Sequence, residues 1–306
     1  MASILDISLT DQERTLVDEL RHRYADLQIE QRDFQEKFTF LENASVYKIV
    51  KLACWHLGFV NQDAELIAQA WLKKSPKLAD FNLQAWPIEL SEFSPQISNE
   101  PAFLSCPKQL GLYVVVPNAQ WIRKLAPTGV DTLQLRFKSD DPQLIEQEVI
   151  AAIEYAKNFP CHLFINDHWQ VAIKHKAYGV HLGQEDLDEA NFQEIQQAGL
   201  RLGISSHGYA EMLRALAYHP SYIAMGAIFP TTLKDMETAP QGLGRLKKYA
   251  ALLKEYSTVG IGGIDQHSIK DVLATGVGSA AVVRAVTQEV DYVKAIKVLK
   301  NYFSSN

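Results

Sequence analysis

The sequence predicts an α/β protein: a (β/α)8 TIM barrel over residues 106–306, preceded by an all-helical segment over residues 1–105. Three observations carry this reading. From Pro107 onward, short β-rich runs alternate with helical stretches, and eight such runs can be counted. The runs are apolar almost throughout, as strands covered by helices on both faces are. Polar residues gather just after several of the runs, and barrels of this class keep their sites at the C-terminal ends of the strands. A doubly wound open sheet is the competing arrangement, but no G-x-G-x-x-G follows the first run.

The helical segment comes first. Thr10 and Glu13 form a T-x-x-E capping box ahead of a stripe of Leu16, Val17, Leu20, Tyr24 and Leu27. Asn43 is placed to cap a second helix carrying Val46, Ile49, Val50, Ala53 and Leu57, with Gly58 as its stop. Asn61 is placed to cap a third through Leu66, Ile67, Ala70 and Trp71. Lys73 and Lys74 suit the C-terminal dipole of that helix, and Ser75-Pro76 ends it. Residues 76–107 hold five prolines and read as a loop-rich connection. No catalytic cluster stands out before Pro107, and Trp55 and His56 read as core or groove residues. The segment reads as a docking module without chemistry. Covering the barrel bottom, forming a homo-oligomer and binding a partner enzyme are the roles open to it.

The eight predicted strands are Leu112–Val116, Thr132–Arg136, His162–Ile165, Gly179–Leu182, Arg201–Ile204, Tyr222–Met225, Thr258–Ile261 and Ala280–Val283. Helical stretches between them include Pro142–Lys157, Trp169–Lys174, Glu189–Gln197, Ala210–Ala217, Gly244–Tyr256 and Ser268–Leu273.

Bulk properties exclude several classes. No apolar run reaches the roughly 18–20 residues of a membrane span. The N-terminus, MASILDISLTDQER, lacks a basic n-region, so no secretory signal is expected. Cys54, Cys106 and Cys161 show no C-x-x-C spacing and cannot all pair, which suits reduced thiols in a cytoplasmic protein. The first hundred residues carry 10 basic and 16 acidic side chains, and the rest carries 20 of each. With no basic stripe to displace phosphate counterions, nucleic acid is not an expected partner.

The strand ends carry the chemistry. Alternation puts Gln134, Arg136 and Lys138 on one face, a row suited to a polyanion. A charged strand end meeting solvent is the plainer reading. Asp167 after the third run and Asp186 after the fourth come together on adjacent strands. Two carboxylates, with waters and a substrate phosphate, describe a Mg²⁺ site; both could instead be helix N-caps. Asp188 and Glu189 read as first-turn acids, and His181 as a pocket or packed histidine. Ser205 offers a hydroxyl after the fifth run. Residues 229–243, with Thr231, Thr232, Leu233 and Lys234, read as a lid over an anionic ligand or as a surface loop. Gly260, Gly262 and Gly263 let the backbone approach a phosphate, and Arg284 after the eighth run adds a cation there.

Seven ordered motifs together resemble the thiamine-phosphate synthase family. They are Gln134–Lys138 (QLRFK), Phe164–Asp167 (FIND), Gly179–Asp186 (GVHLGQED), Leu202–Ser205 (LGIS), Phe229–Lys234 (FPTTLK), Ala239–Leu243 (APQGL) and Gly260–Ile264 (GIGGI). The resemblance runs from about Gly111 to Gln288. It implies a transferase of thiamine biosynthesis that joins 4-amino-2-methyl-5-pyrimidinylmethyl diphosphate to a thiazole phosphate and releases pyrophosphate. It implies that Gln134, Leu135, Arg136, Phe137, Lys138, Asn166, Ser205 and Lys234 hold the pyrimidine diphosphate. Asp167 and Asp186 would hold Mg²⁺. Thr231, Thr232, Leu233, Gly263, Val283 and Arg284 take the thiazole-phosphate positions. Arg136, Lys138 and Lys234 would stabilise charge on the leaving diphosphate.

Two positions depart from the family pattern. Leu233 stands where P-T-x-T-K has its second threonine, and Arg284 where the last strand usually ends in serine. Two other readings are a thiazole tautomerase-like paralogue, which lacks the N-D and Q-E-D pair kept here, and a non-catalytic thiazole- or phosphate-binding protein.

Overall fold

A computed structural model describes residues 9–30, 38–96, 100–231 and 238–303. Eight parallel strands close into a barrel in sequence order: β1 (Gly111–Val116), β2 (Thr132–Leu135), β3 (His162–Asn166), β4 (Gly179–Leu182), β5 (Arg201–Ser206), β6 (Tyr222–Met225), β7 (Thr258–Ile261) and β8 (Ser279–Val282). Closure pairs β1 with β8, Gly111 opposite Ser279. The expected strands all form, with ends shifted by up to two residues. Arg136 leaves β2, although its N–H still donates to the Val116 carbonyl at 2.8 Å. Asn166 joins β3, and β8 stops before Val283.

Alternation along the strands divides the apolar side chains between two cores. Tyr113, Val115, Phe164, Tyr222, Ala224, Val259 and Ala281 point inward and fill the barrel. The other face of each strand packs against the helices, in a core that continues into the N-terminal segment. Two helices carry most of that continuity, α9 (Tyr209–Leu216) and α10 (Gly242–Leu252).

The segment's helices are α1 (Asp11–Arg23), α2 (Ser45–His56), α3 (Asn61–Lys74) and the short α4 (Leu90–Phe93), which lies inside the stretch expected to be loop. The Thr10–Glu13 capping box forms in both directions. The other two caps differ from expectation. Ala44 takes the extended N-cap conformation, and the Ser45 hydroxyl serves Glu13 of α1 instead of its own helix. Val60 is the extended residue before α3, so Asn61 lies inside the helix. Burial of Phe59 against Trp86 and Tyr209 sets this entry angle, and packing outweighs the local cap preference. Of the four other barrel helices expected, α6 (Pro142–Ala156), α7 (Trp169–Lys174) and α11 (Ile269–Ala274) begin within one residue of expectation, and α8 (Phe192–Gln197) starts after its Asn191 cap rather than at Glu189. Helices α5 (Ala119–Leu125), capped by Asn118, and α13 (Tyr292–Lys300), capped by Asp291, are additional to those named from sequence.

No described helix is long and apolar enough to cross a membrane. Cys54, Cys106 and Cys161 are free thiols.

One buried acid joins the segment to the barrel. Asp63 of α3 is 3% exposed, and its Oδ1 accepts the Ala210 N–H of α9 at 2.9 Å. Burial pushes its carboxyl up to about 6, against the opposing pull of the Ala210 and Tyr209 N–H groups and of Arg245. The unfolded value is about 3.9. The folded chain therefore binds this proton more tightly. The resulting stability is complete below about pH 4 and is lost as pH rises through about 6. Relative to Asp63→Asn, wild-type unfolding free energy should gain up to about 3 kcal/mol between pH 7 and pH 4. Denaturant titrations of both proteins at each pH check this. A constant difference would show that Asp63 does not titrate in the folded state.

Candidate active site

The candidate residues stand where β2 to β5 end. On β2, Gln134 is buried and donates from Nε2 to Asn166 Oδ1 on β3 at 2.8 Å. Leu135 is buried, Arg136 and Phe137 are half-buried, and Lys138 is exposed. The Phe137 carbonyl lies 3.0 Å from His168 Nε2, which ties the β2 exit to the β3 exit.

Asp167 follows β3 with φ +62°, the left-handed region that Asp tolerates better than most residues. Its N–H donates to the His181 carbonyl of β4 at 3.0 Å. Burial raises its carboxyl above the ordinary range and Glu185 adds to that, while Arg136, His168 and Lys138 pull it back. Asp186 Oδ2 accepts the Gly183 N–H at 2.6 Å across the turn after β4. Neither acid is a helix N-cap. His168 precedes α7 (Trp169–Lys174), and Asp186 is the first residue of a single 3-10 turn, Asp186–Asp188. Asp188 is a first-turn acid of that 3-10 turn and pairs with Arg214 at 2.6 Å. Among the described residues no group of three or more His, Cys, Asp and Glu could hold a metal. Asp167 and Asp186 each bring a carboxylate to the neighbouring β3 and β4 exits, hard oxygen donors of the kind Mg²⁺ takes.

A second set of contacts was not read from the sequence. His181 Nε2 lies 2.7 Å from Ser205 Oγ, and His181 Nδ1 lies 2.7 Å from the Tyr222 hydroxyl. Tyr222 in turn meets the Tyr113 hydroxyl at 2.7 Å. Burial holds both phenols well above the ordinary tyrosine range, so they stay neutral. The chain of contacts runs from the barrel centre to Ser205 and sets the His181 ring, which also stacks on Tyr222. Gln184 Nε2 donates to the Ser205 carbonyl at 2.7 Å and fixes the same strand end. Strand alternation puts Tyr113 and Tyr222 inside, and two hydroxyls on an otherwise apolar inner face were the available signal.

On the remaining side, Gly263 has φ +66°, and a Cβ there would lie 2.7 Å from Phe229 Cβ and 2.8 Å from the Pro230 carbonyl oxygen. Glycine is required for the chain after β6 to sit against the β7 exit, where Phe229 N–H donates to the Gly262 carbonyl at 3.0 Å. Val283 and Arg284 leave the strand for a short helix, α12 (Arg284–Thr287). Thr231 is half-buried, whereas Thr232, Leu233 and Lys234 lie outside the described residues.

The sequence model described as thiamine monophosphate synthase matches residues 112–286, more than half of the chain. The chain belongs to this family. Thiamine-phosphate synthase of Serratia proteamaculans is 54% identical over 190 residues, which make up 62% of this chain and 90% of that protein. Its counterpart from Yersinia pestis is 53% identical over 195 residues, 64% of this chain and 91% of that one. The solved structure of thiamine phosphate pyrophosphorylase from Pyrococcus furiosus superposes with a TM-score of 0.56 at 26% identity, covering 64% of this chain and 96% of that one.

Proposed function

We propose that the chain is a Mg²⁺-dependent transferase that makes thiamine phosphate and pyrophosphate from the pyrimidinylmethyl diphosphate and a thiazole phosphate. Family membership supports the reading, and the observation that carries it is the cluster at the β2–β5 exits. A guanidinium, two acids, an amide pair and the Ser205 hydroxyl held by His181 share one end of the barrel. The chemistry needs no covalent intermediate on the protein. The C–O bond to diphosphate breaks with its electron pair leaving on oxygen, and the ring amino group supports the cation left behind. The thiazole nitrogen then gives its lone pair to form the new C–N bond.

In this reading Arg136 and Lys138 meet the negative charge that grows on the leaving diphosphate, joined by Lys234. Gln134, Asn166 and Ser205 orient the pyrimidine diphosphate, alongside the Leu135 and Phe137 backbone. Asp167 and Asp186 would hold Mg²⁺, which supplies a Lewis acid against the diphosphate oxygens. Thr231, Thr232, Leu233, Gly263, Val283 and Arg284 would take the thiazole-phosphate positions.

Incubation of the full chain with both substrates and Mg²⁺, read by appearance of thiamine phosphate and pyrophosphate, tests the proposal. Binding of both substrates without product would favour a binding protein instead. In the same assay Arg284→Ser should change the KM for thiazole phosphate and leave that for the diphosphate substrate in place. An unchanged thiazole KM would take Arg284 out of the site.

A further inference from the structure

The matched relatives align over about nine-tenths of their own length but under two-thirds of this chain, so most of the helical segment has no counterpart in them. The segment nevertheless reaches the β5 exit. The helix after β5, α9, has Gly208 at its N-cap, with no side chain to satisfy the first-turn N–H groups. Asp63 supplies that cap from α3, through 147 residues of sequence separation. Gly208 admits it, since a Cβ at Gly208 would lie 2.1 Å from Asp63 Oδ2. Gly208 lies three positions after Ser205, which carries the His181 contact on its hydroxyl and the Gln184 contact on its carbonyl.

The anchor for Asp63 is itself well built. Arg245 of α10 is 2% exposed and donates from Nε to the Leu27 carbonyl and from Nη2 to the Leu57 carbonyl, both at 2.9 Å. Its guanidinium lies 3.6 Å from the centre of the Phe59 ring. Trp86 Nε1 donates to the Tyr209 hydroxyl at 2.9 Å. The helix that the turn after β5 leads into, α9, and its neighbour α10 are thus each bonded to the segment.

We propose that the helical segment is a positioning part of the site, with Asp63 as the residue that holds the turn between β5 and α9 and, through it, Ser205. This rests on the role given to Ser205 above. A cavity of about 70 Å³, lined by Asp63, His207, Gly208, Glu211 and Arg245 among others, adjoins the contact. Water entering there can solvate the freed N–H groups when Asp63 is shortened, so the expected consequence is a loosened turn in a folded chain.

Full-length wild type, Asp63→Ala and Asp63→Asn are compared by steady-state kinetics and by calorimetric binding of pyrophosphate alone. Asp63→Ala should raise the diphosphate-substrate KM and the pyrophosphate Kd by about tenfold, a loss in the range expected for a missing helix cap. The thiazole-phosphate KM should stay put. Asp63→Asn, whose Oδ1 can still accept the Ala210 N–H, should recover most of the loss. A lower melting temperature with both constants unchanged would make the segment merely structural and overturn the proposal, as would equal rises in both substrate KM values. An inactive wild type would defeat the functional reading, while the pyrophosphate titrations would still decide the role of Asp63.

Discussion

Replacing Arg136 by alanine is expected to lower kcat/KM by about 100–1000-fold, the loss typical of one electrostatic contact to charge that develops in the transition state. Two effects combine in this variant. In the proposed mechanism the guanidinium meets the leaving diphosphate, with a planar fork that lysine does not reproduce. It is also the strongest of the charges that keep the Asp167 carboxyl from rising further. Its loss leaves Asp167 without the largest of those opposing charges, so the two residues are electrostatically coupled. The two contributions separate in a double-mutant cycle: Arg136→Ala with Asp167→Ala should cost much less than the sum of the single changes. Single-turnover rates at saturating substrate provide the measurement. Wild-type-like turnover in Arg136→Ala would remove this residue from the mechanism.

Chelation should have an effect of similar size. Dialysis against EDTA is expected to abolish product formation, and added Mg²⁺ should restore it. Asp167→Ala should stay nearly inactive at Mg²⁺ levels that saturate the wild type. Burial already makes the Asp167 charge costly, and a dication offsets that cost by direct attraction. Asp186 requires a gentler variant, because its Oδ2 also accepts the Gly183 N–H. Asp186→Asn can keep that bond while losing the charge, so an activity loss in it reports on the cation rather than on the turn. Full turnover under chelation would discard the metal assignment for both acids.

Most of the barrel was legible because its signals are local. Strand runs such as Leu112–Val116 and Tyr222–Met225 are apolar almost throughout, and a chain segment buried on both faces has few other forms. The chemical residues at the strand ends were legible for the same reason, since β2 to β5 all exit at one end of a parallel barrel. Helix starts were less legible. Asn43 and Asn61 have the right side chains for capping, yet Ser45 and Phe59 settle the matter through partners distant in sequence.

The sequence by itself therefore determined the fold class, the family and the residue types at the site, because periodicity and ordered motifs are properties of the chain alone. Only the tertiary structure decided which of those residues touch. It joined Gln134 to Asn166 and His181 to Ser205, and it showed that Asp167 and Asp186 are not helix caps. It also brought Asp63 to the start of α9, across a distance in sequence that no local pattern can span. A hydrogen bond depends on where two backbones come to rest, and that is set by the packing of the whole core.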